Sequence, residues 1–178
     1  MKIQTISTAI AVAILLSGCG KQNASSGTSP APARDQTSAA SAASPVTQAS
    51  MSAWQQGDKS TAVSSFLAAD WSTRPLFASD SVLSLTESQF ASLSAADQQA
   101  KSGEMTKQLG LLKQLAAAVA QAGRDAASKG DATQAQKCFT SLKQCGTALS
   151  SPDCLSLVQL VGKAFTKTAD TELAKIGK

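Results

Sequence analysis

A chain of 178 residues with a formal net charge of +4 and 16% charged residues is too weakly basic to point to nucleic acid as a partner, and its lysines stand singly without interleaved aromatics. Histidine is absent, which removes the commonest general base, the commonest metal ligand and every Ser-His or Cys-His nucleophile pair. No Gly-rich phosphate loop, C-x-x-C pair or EF-hand loop occurs, so neither a catalytic set nor a cofactor or metal site is expected.

The chain begins MKIQTISTAIAVAILLSGCG. Lys2 supplies a positive start, Ala9 to Leu16 an apolar run, and Ser17-Gly18 the small residues before Cys19, which is the layout of a secretory signal peptide over 1–18. The run is shorter than the roughly 20 residues a permanent span requires. Leu16-Ser17-Gly18-Cys19 resembles the lipobox of bacterial lipoproteins. That resemblance implies a diacylglycerol on the Cys19 thiol, cleavage just before it and acylation of the new amine. It further implies attachment to a membrane through the lipid, and Gly20, where the inner-membrane retention signal would have Asp, points to the outer membrane.

Residues 19–44 follow as a linker. From Lys21 to Ser44 almost every residue is Ala, Ser, Thr, Gln, Gly or Pro, a composition that buries too little surface to offset the entropy of ordering. A disordered tether of this length reaches roughly 25 to 30 Å on average. It would hold the remaining body, 45–178, off the lipid surface.

That body is expected to be all-α, built of helical hairpins, because its apolar residues recur at helical spacing with little β-branched alternation. Ser44-Pro45 reads as a cap followed by Pro at the first helical position, with the helix ending before Gly57. A second helix is predicted from Lys59 to Asp70, stopping ahead of Arg74-Pro75, and 75–85 reads as a loop with a short turn. Thr86-Glu87-Ser88-Gln89 has the capping-box pattern and opens a short helix carrying Phe90 and Leu93. Ser94 starts a long helix to Lys129, with Met105, Leu109, Leu112, Ala116, Val119, Gly123 and Ala127 on one side and Gly103 as its weak point. Gly130-Asp131 breaks the chain before a helix over 132–149, and Ser151-Pro152-Asp153 starts a closing amphipathic helix bearing Leu155, Val158, Val161, Phe165, Ala169, Leu173 and Ile176.

Two stretches match each other. Counted from Gly57 and from Gly130, an Asp is next, Ala62 and Ala135 lie five on, Phe66 and Phe139 nine on, and Ala69 and Leu142 twelve on. This is similar to the inter-helix turn and second helix of a tetratricopeptide repeat, and any helical hairpin can use the same solution. The body is therefore expected as a tetratricopeptide-like array or a small bundle.

Four cysteines occur, and the lipobox removes Cys19 from the disulfide count. Cys138 and Cys145 lie on one helix about 10.5 Å apart, beyond the roughly 7 Å a bridge spans. Cys145 and Cys154 flank the turn around Pro152 and are the pair expected if a disulfide forms; the alternative is no bridge. Cys138, beside Phe139, reads as core. Trp71 and Phe77, near Pro75, are the candidates for a partly exposed interaction surface. The leading expectation is a non-enzymatic envelope lipoprotein whose helical domain binds a protein or peptide; the alternative is a structural spacer or an immunity-type protective lipoprotein.

Overall fold

Two glycines with left-handed backbone set the plan of the helical body. The computed structural model describes residues 44–176, so the signal peptide, Cys19 and the tether up to residue 43 lie outside the described residues. Within them the chain forms α1 (Gln48–Gln55), α2 (Lys59–Ala68), a single 3-10 turn at Val82–Ser84, α3 (Glu87–Ala91), α4 (Ala95–Ser128), α5 (Ala132–Leu149) and α6 (Ser156–Ile176). No strand occurs among the described residues, and the fold is all-α.

The α1–α2 and α4–α5 reversals share one geometry. Gly57 has φ +82° and Gly130 φ +79°, a conformation other residues rarely adopt. At each, the glycine amide donates to the carbonyl three back, Trp54 at 3.1 Å and Ala127 at 3.0 Å. The next amide donates five back, from Asp58 to Ala53 and from Asp131 to Ala126, which satisfies the last carbonyls of the outgoing helix. The same Asp then caps the incoming helix: Asp58 accepts from the Thr61 amide at 3.0 Å and Asp131 from the Gln134 amide at 2.9 Å. Beyond each turn the small residue and the ring are fully buried, Ala62 and Phe66 in one hairpin, Ala135 and Phe139 in the other.

α5 lies between α4 and α6 and packs on both, whereas α4 and α6 meet along a thin seam. The α5–α6 contact is backbone to backbone. A Cβ on Gly146 would fall 2.6 Å from the Gly162 oxygen and 2.7 Å from the Thr166 nitrogen, and a Cβ on Gly162 would fall 2.6 Å from the Gly146 oxygen. At Gly123 the missing Cβ leaves room for the Phe139 ring, 2.7 Å from where it would stand. The α1–α2 hairpin and the loop before α3 pack against the other side of this layer, contributing Phe66, Trp71, Val82 and Leu83 to one continuous core.

Several boundaries differ from the sequence-based expectation. α1 begins at Gln48, not Pro45, and the two residues ahead of it are tied to the loop after α2 instead: Val46 donates to the Pro75 carbonyl (3.1 Å) and Thr47 to that of Leu76 (3.0 Å). The Thr47 hydroxyl also donates to the Leu76 carbonyl at 2.7 Å. α2 stops at Ala68 because the Asp70 carboxylate draws in the Ser72 amide and the Ser72 and Thr73 hydroxyls, closing a turn instead of a helix. Leu93 falls just past α3, and Ala127 is exposed while Ala126 is buried. The closing helix begins at Ser156, since Cys154 donates its amide back to Ser151 and ties 151–154 into a turn of its own. Gly103 sits inside α4 without interrupting it.

Candidate functional site

The aromatics singled out for an interaction surface are core. Trp71 and Phe77 are each 4% exposed. Trp71 packs on Phe66 with ring centroids 4.6 Å apart, and its Nε1 donates to Ser141 Oγ at 3.3 Å, while that hydroxyl donates to the Phe66 carbonyl at 3.2 Å. One buried hydroxyl thus ties the loop after α2 to α5, and neither ring is offered to a partner. The expected Cys145–Cys154 bridge is also absent. Cys138, Cys145 and Cys154 are free thiols, the first two buried and the third half-buried, and burial raises the pKa of all three above the ordinary thiol value. Cys145 points into the packed interior, whereas Cys154 lies in the 151–154 turn.

The concave surface lies elsewhere, along the seam where α4 and α6 pass each other over α5. One cavity of about 310 Å³ is walled by Lys113, Ala117 and Ala120 of α4 and by Ala164 and Thr168 of α6, with Leu142 and Phe165 at its floor. A second, about 300 Å³, follows in the same direction, walled by Ala127 of α4 and by Glu172 and Ile176 of α6 over Phe139. Arg124 lines both. In helical phase Lys113, Ala117, Ala120 and Arg124 form one row on α4, and Ala164, Thr168 and Glu172 one row on α6, so the two cavities lie in line along one groove with Arg124 between them.

An ion pair crosses that groove. Arg124 Nη1 lies 3.4 Å from Glu172 Oε1, and Lys175 Nζ lies 2.9 Å from Glu172 Oε2. Gln121 Oε1 steadies the guanidinium by accepting from Nη2 at 3.0 Å and Nε at 3.3 Å. The Glu172 side chain is 14% exposed and Arg124 43%. The Lys175 ammonium donating to it, aided by the Arg124 charge, holds the Glu172 carboxyl below the usual carboxylate range. Glu172 is thus satisfied twice over. Among the described residues Lys113 has no ion pair, and Lys113, Arg124 and Lys175 stand against the one carboxylate, Glu172, on the groove walls.

The α6 flank of the groove runs on towards the helix start. Leu157, Val161, Ala164 and Thr168 follow at steps of three and four, with Leu160 beside them. Leu157 is 47% and Leu160 64% exposed, and they are the exposed large apolar side chains among the described residues. Little in the sequence marks this site, because alanines and single lysines on a helix look like ordinary surface. The signal available was the run Leu115-Ala116-Ala117-Ala118-Val119-Ala120, where small residues extend past the stripe the core requires.

Among the described residues no group of three or more Cys, Asp or Glu side chains is arranged to hold a metal ion, and no helix is long and apolar enough to cross a membrane. Compared with known protein families, curated proteins and solved structures, the chain matches none.

Proposed function

We propose that this chain is a lipoprotein of a diderm bacterial envelope, held in a membrane, by preference the outer one, through an acylated Cys19, with a helical domain on a tether that serves as a non-enzymatic protein-interaction module. The observation that carries the reading is Leu16-Ser17-Gly18-Cys19 behind Lys2 and the short apolar run. Each buried methylene contributes roughly 0.8 kcal/mol, so several acyl chains together hold the protein firmly without a spanning helix. The interaction role is supported by Leu157 and Leu160, large apolar side chains left uncovered on α6 beside the α4–α6 groove.

Expression of the full chain in a diderm bacterium fed an alkyne-tagged palmitate tests the anchor. The wild-type protein is expected to carry the label and sediment with membranes, and Cys19→Ser to lose both. Label that persists in Cys19→Ser, or none in wild type, refutes the anchor. A photo-crosslinking residue in place of the exposed Ala117 tests the module: a specific adduct with an envelope protein is expected, and its absence in favour of solvent quenching counts against the groove as an interaction site.

A spacer is the second reading. It is favoured by the rest of the described surface, where no further large apolar side chain is exposed. Shortening the tether would abolish a spacer role and leave groove crosslinking in place.

A further inference from the structure

We infer that the start of α6 docks on the bilayer that holds the lipid anchor, with Leu157 and Leu160 entering the headgroup boundary and Lys163 and Lys167 meeting anionic phosphates. The inference rests on the anchor proposed above and adds a lipid contact that covers these leucines whenever no protein does. Leu157, Leu160, Lys163, Ala164 and Lys167 are exposed and, at steps of three and four, share the outward face of α6. No carboxylate occurs on α6 before Asp170, which is itself paired with Lys143 at 2.8 Å, and among the described residues neither Lys163 nor Lys167 has an ion pair. An apolar tip followed within two turns by unpaired lysines on one face is the pattern of a helix that lies in a membrane interface. The long lysine stems let the ammonium groups stay among the headgroups while the leucines go deeper.

The way the chain enters the body decides between occupants. Val46 donates to the Pro75 carbonyl at 3.1 Å, and Arg74, one residue earlier, donates from Nη2 to the Ala148 carbonyl at 3.4 Å in the last turn of α5. Thr147 then lines one open hollow with Arg74 and another with Lys163 and Lys167. The first described residues, the α5–α6 turn and the lysine face of α6 therefore gather at one end of the body. Residues 20–43, the proposed tether, join the body at that end, and a flexible chain of that length reaches only roughly 25 to 30 Å. A weak contact then suffices, because anchoring makes docking an intramolecular step at high effective concentration. A second copy has no such help: two leucines a side fall far short of the about 1,000 Å² a stable interface buries, and Lys163 and Lys167 would bring like charges from both. Glu87 and Asp153 flank the helix start, accepting from the Ser156 amide and the Ser151 hydroxyl, and temper the pull of the lysines. The leucines carry the contact and the lysines bias it.

The test uses the full-length acylated protein in phosphatidylcholine vesicles containing phosphatidylglycerol, with a headgroup spin-labelled lipid as quencher. A fluorescent amino acid replaces either Ala164, on the docking face, or Thr133, exposed near the start of α5 and about 24 Å along that helix from its α6 end. Quenching is expected to be about threefold stronger at 164 than at 133. Leu157→Ser with Leu160→Ser is expected to bring 164 down to the level of 133 while the thermal unfolding transition stays in place, both side chains being exposed. Lys163→Gln with Lys167→Gln, or vesicles without phosphatidylglycerol, are expected to remove about half of the excess. Equal quenching at the two positions, an excess that survives loss of both leucines, or one indifferent to both the lysines and the lipid charge overturns the inference. A photo-crosslink from position 160 to an envelope protein in cells, together with equal quenching in vesicles, gives the leucines to a partner protein; it overturns the docking and leaves the interaction role standing. A wild-type chain that takes up no acyl label overturns the anchor and the docking together.

Discussion

Glycines in helices look alike in a sequence and differ widely in the fold. Gly103 faces open space, so Gly103→Ala removes backbone freedom from the unfolded chain at no steric cost and is expected to stabilise by about 0.5–1 kcal/mol. Gly146 faces the backbone of α6, where neither the Gly162 carbonyl nor the Thr166 amide can step aside without moving the helix. Gly146→Ala is therefore expected to destabilise by about 1–3 kcal/mol. Urea unfolding of the two variants checks both signs, and equal effects would mean that α5 and α6 are not in backbone contact. Gly103 was legible as a propensity weakness, but the roles of Gly146 and Gly162 were not, because each depends on a residue of another helix. Trp71 illustrates the same limit: its scarcity drew attention, while its partners Phe66 and Ser141 reach it only through the packing of α2 on α5.

The elements whose signals are local were read closely. α5 spans Ala132–Leu149 as expected, and the Thr86–Gln89 capping box forms with both reciprocal bonds in place. The start of α6 was misplaced because its cap is remote. The Glu87 carboxylate, projecting from α3, accepts from the Ser156 amide and so satisfies a first-turn donor of α6. That bond holds the Glu87 carboxyl below the usual carboxylate range. A carboxyl depressed in the folded state contributes stability that is present above its unfolded value, about 4.3, and is lost as pH falls through the folded value. Asp58, Asp70 and Glu172 are lowered in the same way, by Thr61, by Ser72 and Thr73, and by Lys175 with Arg124. Thermal unfolding between pH 6 and pH 2.5 is expected to show stability falling below about pH 4, with a shallower fall in Glu87→Gln. An unchanged acid slope in that variant would place the capping bond outside the folded state in solution.

At the scale of the whole molecule, hydrophobic periodicity predicted the helices and the all-α class, whereas the arrangement of α4, α5 and α6 was not readable. Each helix shows its buried stripe, yet nothing in three stripes says that α5 holds the other two apart and leaves a groove between them. The thiols report on that arrangement. Cys138 and Cys145 are fully buried and Cys154 is half-buried, with burial raising each pKa. Titration with an aromatic disulfide reagent near neutral pH is expected to modify Cys154 slowly in the native protein and all three only in denaturant. Rapid native reaction of Cys145 would contradict the packing of α5. Three titratable thiols in the isolated protein, and no more, is the count expected when Cys19 carries lipid.

The pairing of Val46 and Thr47 with Pro75 and Leu76 has a mechanical consequence. Tension transmitted along the chain from its N-terminal side meets those three hydrogen bonds before it reaches α1. Leu76 and Phe77 are buried, so the load passes into the core through the loop and not along the axis of a short helix that would fray. A body that is pulled by one end is gripped there at two points of its chain, and force enters it as a shear on the loop while the groove, on helices further along, keeps its shape.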